Sequence, residues 1–173
     1  MPFERELLLR ARPVMGILEC SASHLSRLLA WRNTAAKLVA AKEVEQVIRR
    51  HLERTGCTLS PPKKRGQTGT DITARYGKST WFVEVIGFQS HPPTRSREFY
   101  EAFFRVISRD RDNPDDILVI GLPKRFKDGM RQRKQQYPVA WGKLGKAFPN
   151  LRLWYVDTEQ IALEEYPWSD PFD

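Results

Sequence analysis

Asp71 and Glu84 are the residues whose placement suggests chemistry, both inside the strand-like stretch "TDITARYGKSTWFVEVIGF" (70–88). Glu84 is flanked by "WFV" and "VIG", so its carboxylate is expected deep in a sheet, where an unpartnered charge is costly. A hairpin turn at "YGKS" would fold the Asp71 end of one strand back against the Glu84 end of the next. Two carboxylates held that close repel unless a cation lies between them. Hard oxygen ligands with no His or Cys beside them select Mg2+ or Mn2+. A purely structural reading competes: Asp71 caps a strand start, and Glu84 is a salt-bridged core residue partnered by Arg105.

The elements around this pair follow from periodicity. Strands are expected at about 71–76 and 80–86, with Thr80, Phe82, Glu84 and Ile86 on one face and Trp81, Val83 and Val85 on the other. Upstream, "AAKLVAAKEVEQVIRRHLERTG" is the clearest helix. Ala36, Val39, Ala40, Val44, Val47, Ile48 and Leu52 form its stripe, with Thr34 as cap and Gly56 as stop. Glu43 falls beside that stripe, while Glu45 points elsewhere. "SASHLSRLLAWR" offers another helix with Ser21 as its cap, and the "RNT" join leaves a helix-turn-helix over 21–54 as a minor reading. "CTLS" reads as a short strand. "SREFYEAFFRVISRDRD" is an amphipathic helix with Phe99, Phe103, Val106 and Ile107 inward. "ILVIGL" suits a central strand covered on both faces. The run from Pro123 to Phe148 is helical and broken at Pro138, "LRLWYV" is a last strand, and "EEYPWSDPFD" reads as irregular. Strands alternating with covering helices make an α/β fold, a mixed central sheet flanked by helices. A single domain spans 1–173, with an N-terminal helical extension over 1–33, a core over 34–156 and a tail over 157–173.

An N-terminal helix carrying a glutamate, then Asp, a hairpin and Glu-x-x, resembles the PD-(D/E)XK nuclease superfamily of restriction endonucleases, junction resolvases and repair nucleases. The likeness covers roughly 34–156 and implies a restriction endonuclease-like αβββαβ core with a further helix and strand. It implies Mg2+- or Mn2+-dependent hydrolysis of nucleic acid, DNA above all, with Asp71 and Glu84 as metal ligands. Val85 would lend its backbone carbonyl, and Glu43 would complete the site from the helix. Thr70 stands where the family often has Pro. Ile86 stands where the family has its catalytic lysine, whose ammonium orients the attacking water and stabilises charge on the phosphate. A basic residue from elsewhere must then enter the site, with Lys78, Lys63, Lys64 and Arg105 as candidates. Gln89 could orient a water but supplies no charge. Otherwise the fold is catalytically inactive and serves as a nucleic-acid-binding or assembly protein.

The charge balance agrees with a polyanionic partner. The chain of 173 residues carries 29 Lys and Arg against 21 Asp and Glu, a net charge of +8. "KKR" (Lys63, Lys64, Arg65) lies in the loop before Asp71, and "TRSR" (Arg95, Arg97) follows the Glu84 strand; with Arg105 these form the nucleic-acid-binding set. The basic run Lys124, Arg125, Lys127, Arg131, Arg133 and Lys134 goes all round a helix and reads as a solvated face. His91 alone of three histidines stands near the site, and His51 reads as a boundary residue on the long helix. Trp141, Leu144 and Phe148, at helical spacing, read as core. Cys20 and Cys57 are isolated, without zinc-ligand spacing, as expected of reduced thiols in a cytoplasmic protein. No apolar run approaches the ~20 residues of a membrane span. A homodimer is left open.

Overall fold

The most apolar run of the chain becomes the middle of the sheet. Strand β4 (Ile117–Pro123) is buried along nearly its whole length. It lies parallel to β3 (Ser79–Val85) on one side and to β5 (Leu151–Asp157) on the other. Antiparallel strands extend both flanks: β2 (Ile72–Tyr76) and then β1 (Thr58–Leu59) beyond β3, and β6 (Ala162–Pro167) beyond β5. The result is a six-stranded mixed sheet in sequential order. The computed structural model describes residues 38–64 and 67–172, which belong to one unit, Lys37–Asp173. The helix at Ser21, Thr34, the 32–34 join, Cys20, His24 and Arg65 lie outside the described residues.

Strand alternation sorts the core into two layers. Phe82, Ile86, Leu118, Ile120, Leu122, Leu151, Leu153 and Tyr155 face α2 (Pro92–Ile107), α3 (Phe126–Gln136) and α4 (Pro138–Ala147). Val83, Val85, Val119, Trp154 and Val156 face α1 (Ala41–Arg54). The parallel connections β3–α2–β4 and β4–α3–α4–β5 therefore cross the same face, and α1 covers the other. Trp141 and Trp168 stack in the first layer with centroids 4.1 Å apart, each indole N–H donating to the other's backbone carbonyl.

The structure moves three boundaries. Helix α1 starts at Ala41, not near Thr34, because Val39 pairs with Phe88 as an antiparallel bridge and is drawn out of the stripe. Gly87 permits that crossing: a Cβ there would lie 2.5 Å from the Val39 carbonyl oxygen. Helix α2 starts at Pro92, since two prolines at its first positions lose no hydrogen bond there and preset the helical φ. The C-terminal tail is irregular only past Pro167, where residues 168–171 form turns and bends. Residues 162–167 form β6, and its glutamates alternate faces, Glu164 reaching Lys124 and Lys127 on one side and Glu165 reaching His51 on the other.

Candidate active site

The β2–β3 hairpin turns through Gly77 and Lys78, with Gly77 at φ 58° as a two-residue loop requires. Its paired register ends at Ile72 opposite Val83. One step further along that register lie Asp71 and Glu84, close enough for the Asp71 charge to act on Glu84. Beyond the last ladder pair the Val85 N–H has lost its partner strand, and Asp71 Oδ2 accepts it at 2.9 Å. Asp71 Oδ1 lies 3.2 Å from Lys63 Nζ, which also donates to the Gly69 carbonyl. From the opposite face Arg49 donates to the Asp71 and Ser60 carbonyls and pairs with Glu45 at 2.7 Å.

Glu84 is only 1% exposed, and neither of its carboxylate oxygens has a hydrogen-bond partner. The cation paired with it is Arg105, half exposed on α2, with Nη1 3.7 Å from Oε2, beyond hydrogen-bond reach. The Glu84 pKa stands at about 7: burial raises it most and the Asp71 charge adds to this, while Arg105, Lys63 and Arg109 lower it without cancelling the rise. The site is thus two facing carboxylates, one buried and unsatisfied, under a rim of cations.

Of the residues singled out from sequence, Asp71, Glu84, Lys63 and Arg105 are brought together. Lys78 is not: it is exposed at the hairpin tip, six residues back from Glu84, or roughly 20 Å at the strand rise of ~3.3 Å per residue. Glu43 is exposed at the start of α1, where its carboxylate accepts the Ala40 N–H at 3.0 Å. Val85 contributes its N–H to Asp71. Lys64 is exposed and its backbone N–H meets the Gln67 side chain at 2.8 Å. Arg95 holds the loop after β3, donating to the Gln89 and Ser90 carbonyls and lying 4.6 Å over Phe88. Gln89 itself is exposed. Arg97 is exposed and pairs with Glu101 at 3.7 Å. His91 stands at the N-cap position of α2 with its ring Nδ1 3.1 Å from the Thr94 hydroxyl, and its side chain caps no backbone N–H. Ile86 is buried among the α2 layer. Among the described residues, no cluster of three or more His, Cys, Asp or Glu side chains stands where it could hold a metal ion.

Two features were not read from the sequence. Arg109, whose Nε is buried without a partner, acts on Glu84; its spacing of four from Arg105 was the available signal. Glu45 supports the Asp71 backbone through Arg49. The basic run at α3 faces acids of this same chain: Lys124 and Lys127 meet Glu164, Arg131 meets Asp128, and Lys134 meets Asp170. Cys57 is a free thiol, and no helix among the described residues is long and apolar enough to cross a membrane. Comparison with protein-family models, with curated proteins and with solved structures finds no match.

Proposed function

We propose that the chain is a nuclease-like protein that hydrolyses phosphodiesters of nucleic acid, DNA in the first instance, at the Asp71–Glu84 pair with Mg2+ or Mn2+. The observation that carries this reading is the Glu84 carboxylate, buried, bare of hydrogen bonds and facing a second carboxylate. A divalent ion is the partner such a pair lacks. Two carboxylates suit Mg2+, which keeps several waters and completes its shell with phosphate oxygens. The order helix, hairpin, helix, parallel strand around the pair supports the restriction endonuclease-like reading of the fold.

When bound, the ion would polarise the phosphate and sharpen the acidity of a water. Asp71 and Glu84 would hold it. Lys63 supplies the ammonium that position 86 lacks, entering from the loop before β2 to orient the attacking water. That water's oxygen bonds to phosphorus as the P–O bond to the leaving oxygen breaks. The water gives up its proton to solvent, and the leaving oxygen takes one from solvent. Arg105 and Arg109 offer positive charge to the phosphate as its negative charge grows.

The test is nicking of supercoiled plasmid and cleavage of labelled single strands in Mg2+, Mn2+ or EDTA. Metal-dependent cleavage lost in Asp71→Asn and Glu84→Gln, and reduced by a factor of ~10²–10⁴ in Lys63→Ala, is the expected result. The second reading is a catalytically inactive fold that binds nucleic acid or assembles with other proteins. It is favoured by Asp71, whose two oxygens already have partners within the chain. Wild type that binds nucleic acid but leaves every substrate intact in all three conditions decides for it.

A further inference from the structure

We infer that the solvent face of α2 is a stacking platform for single-stranded nucleic acid, with Tyr100 and Phe104 as its two rings, leading to the Asp71–Glu84 pair. The inference rests on the reading of that pair as a nucleic-acid site and names the form of the substrate. Tyr100 is 50% exposed and Phe104 68% exposed, in a helix whose other aromatics are buried. Neither ring is loose. Phe99 (3% exposed) meets Tyr100 edge-on with centroids 5.8 Å apart, and Phe103 (8% exposed) meets Phe104 the same way at 5.9 Å. The sequence thus repeats a buried–exposed aromatic pair after one helical turn, and each outer ring is braced by an inner one.

The surroundings decide the occupant. Arg97 and Arg105 line the same depression as the two rings, and both pair with one carboxylate, Glu101. The patch therefore keeps an excess of positive charge beside exposed π faces, the combination that binds bases by stacking and backbone by charge. Arg105 also faces Glu84, so a strand lying on the rings is led to the carboxylate pair. Tyr100 and Phe104 are separated by about 6 Å along the helix axis at ~1.5 Å per residue. That is nearly twice the ~3.4 Å between nucleotides of a stacked strand. Two consecutive bases reach both rings only when unstacked, which a duplex forbids. A second copy of the chain is the poorer fit: two aromatic side chains cover on the order of 300–500 Å², against the ~800 Å² per partner of a stable interface.

The experiment is fluorescence anisotropy in EDTA, so that binding is read without cleavage, using labelled oligo(dT), oligo(U) and a duplex of equal length. Tyr100→Leu and Phe104→Leu keep an apolar surface and remove the ring; Phe104→Trp restores one. The expected result is single-strand binding weakened roughly 5- to 150-fold by each leucine, retained by Phe104→Trp, with duplex binding unmoved. Leucine variants that hold single strands as tightly as wild type overturn the platform alone. A wild type that binds neither single strand nor duplex overturns it together with the reading beneath it. Self-association of wild type in gel filtration, abolished by either leucine, assigns the rings to an interface between copies instead.

Discussion

Glu84 is a carboxylate placed where its charge is unwelcome, and that has a measurable sign. Its pKa stands at about 7 against an ordinary 4.5. Without metal the folded state therefore holds a proton that the unfolded chain releases across that interval, so stability falls as pH rises through it. The full penalty, on the order of 3 kcal/mol, is present above pH 7 and absent below 4.5. Glu84→Gln keeps the shape and removes the charge. In EDTA the variant should match wild type near pH 4.5 and exceed it by a few kcal/mol at pH 8, measured by urea unfolding. Added Mg2+ should then stabilise wild type at pH 8 and leave the variant unmoved. A glutamine variant less stable than wild type at pH 8 in EDTA would mean that Glu84 is a structural ion-pair partner of Arg105, and the metal reading would fall. The sequence made this carboxylate legible because an acid inside "WFVEVIG" violates the pattern of everything around it. It did not disclose which lysine comes near. Lys63 reaches Asp71 only because the loop before β2 folds back, and no local periodicity encodes the path of a loop.

At the scale of elements, the sheet that positions the pair depends on a crossing the sequence left unmarked. Apolar runs and turn residues were enough to place β1 to β5 and the break at Pro138, because each rests on a local pattern. The start of α1 and the whole of β6 depend on partners distant in the chain. Val39 reads as a helix-stripe residue until Phe88 pairs with it, and "ALEEYP" looks polar until Lys124, Lys127 and His51 meet its glutamates. Gly87 makes the first of these contacts possible. A methyl group there would meet the Val39 carbonyl oxygen at 2.5 Å and the Ala41 nitrogen at 2.9 Å, both backbone atoms that cannot rotate away. Gly87→Ala should destabilise by about 1–3 kcal/mol through overpacking. Gly142→Ala is the control: it lies inside α4 with nothing within 4 Å of the added carbon. It should stabilise by about 0.4–1 kcal/mol by narrowing the unfolded ensemble. Thermal unfolding of both decides; a neutral Gly87→Ala would show that the segment before α1 can shift freely from the end of β3.

The whole molecule carries a net charge of +8, and where that charge is free matters more than its total. In the basic run at α3, four of the six cations stand with acids: Lys124 and Lys127 with Asp157 and Glu164, Arg131 with Asp128, Lys134 with Asp170. Arg133 donates to the Ser96 hydroxyl and the Gly129 carbonyl. A phosphate arriving there must displace a carboxylate from the same chain. Around the candidate site the balance differs. Arg97 and Arg105 share Glu101, Arg109 has a bare Nε, and the facing Glu84 holds a proton up to about pH 7. Nucleic acid should therefore dock on the α2 face and leave α3 alone, although α3 has the denser run of basic residues in sequence. Salt dependence reads this directly, since each phosphate neutralised on a single strand contributes about −0.7 to the slope of log K against log salt. Arg97→Ala and Arg105→Ala should each flatten the slope by roughly that amount, while Arg131→Ala and Lys134→Ala should leave it unchanged. If the α3 variants flatten the slope and the α2 variants do not, the strand lies across the other helix, and the path from the rings to Glu84 is wrong.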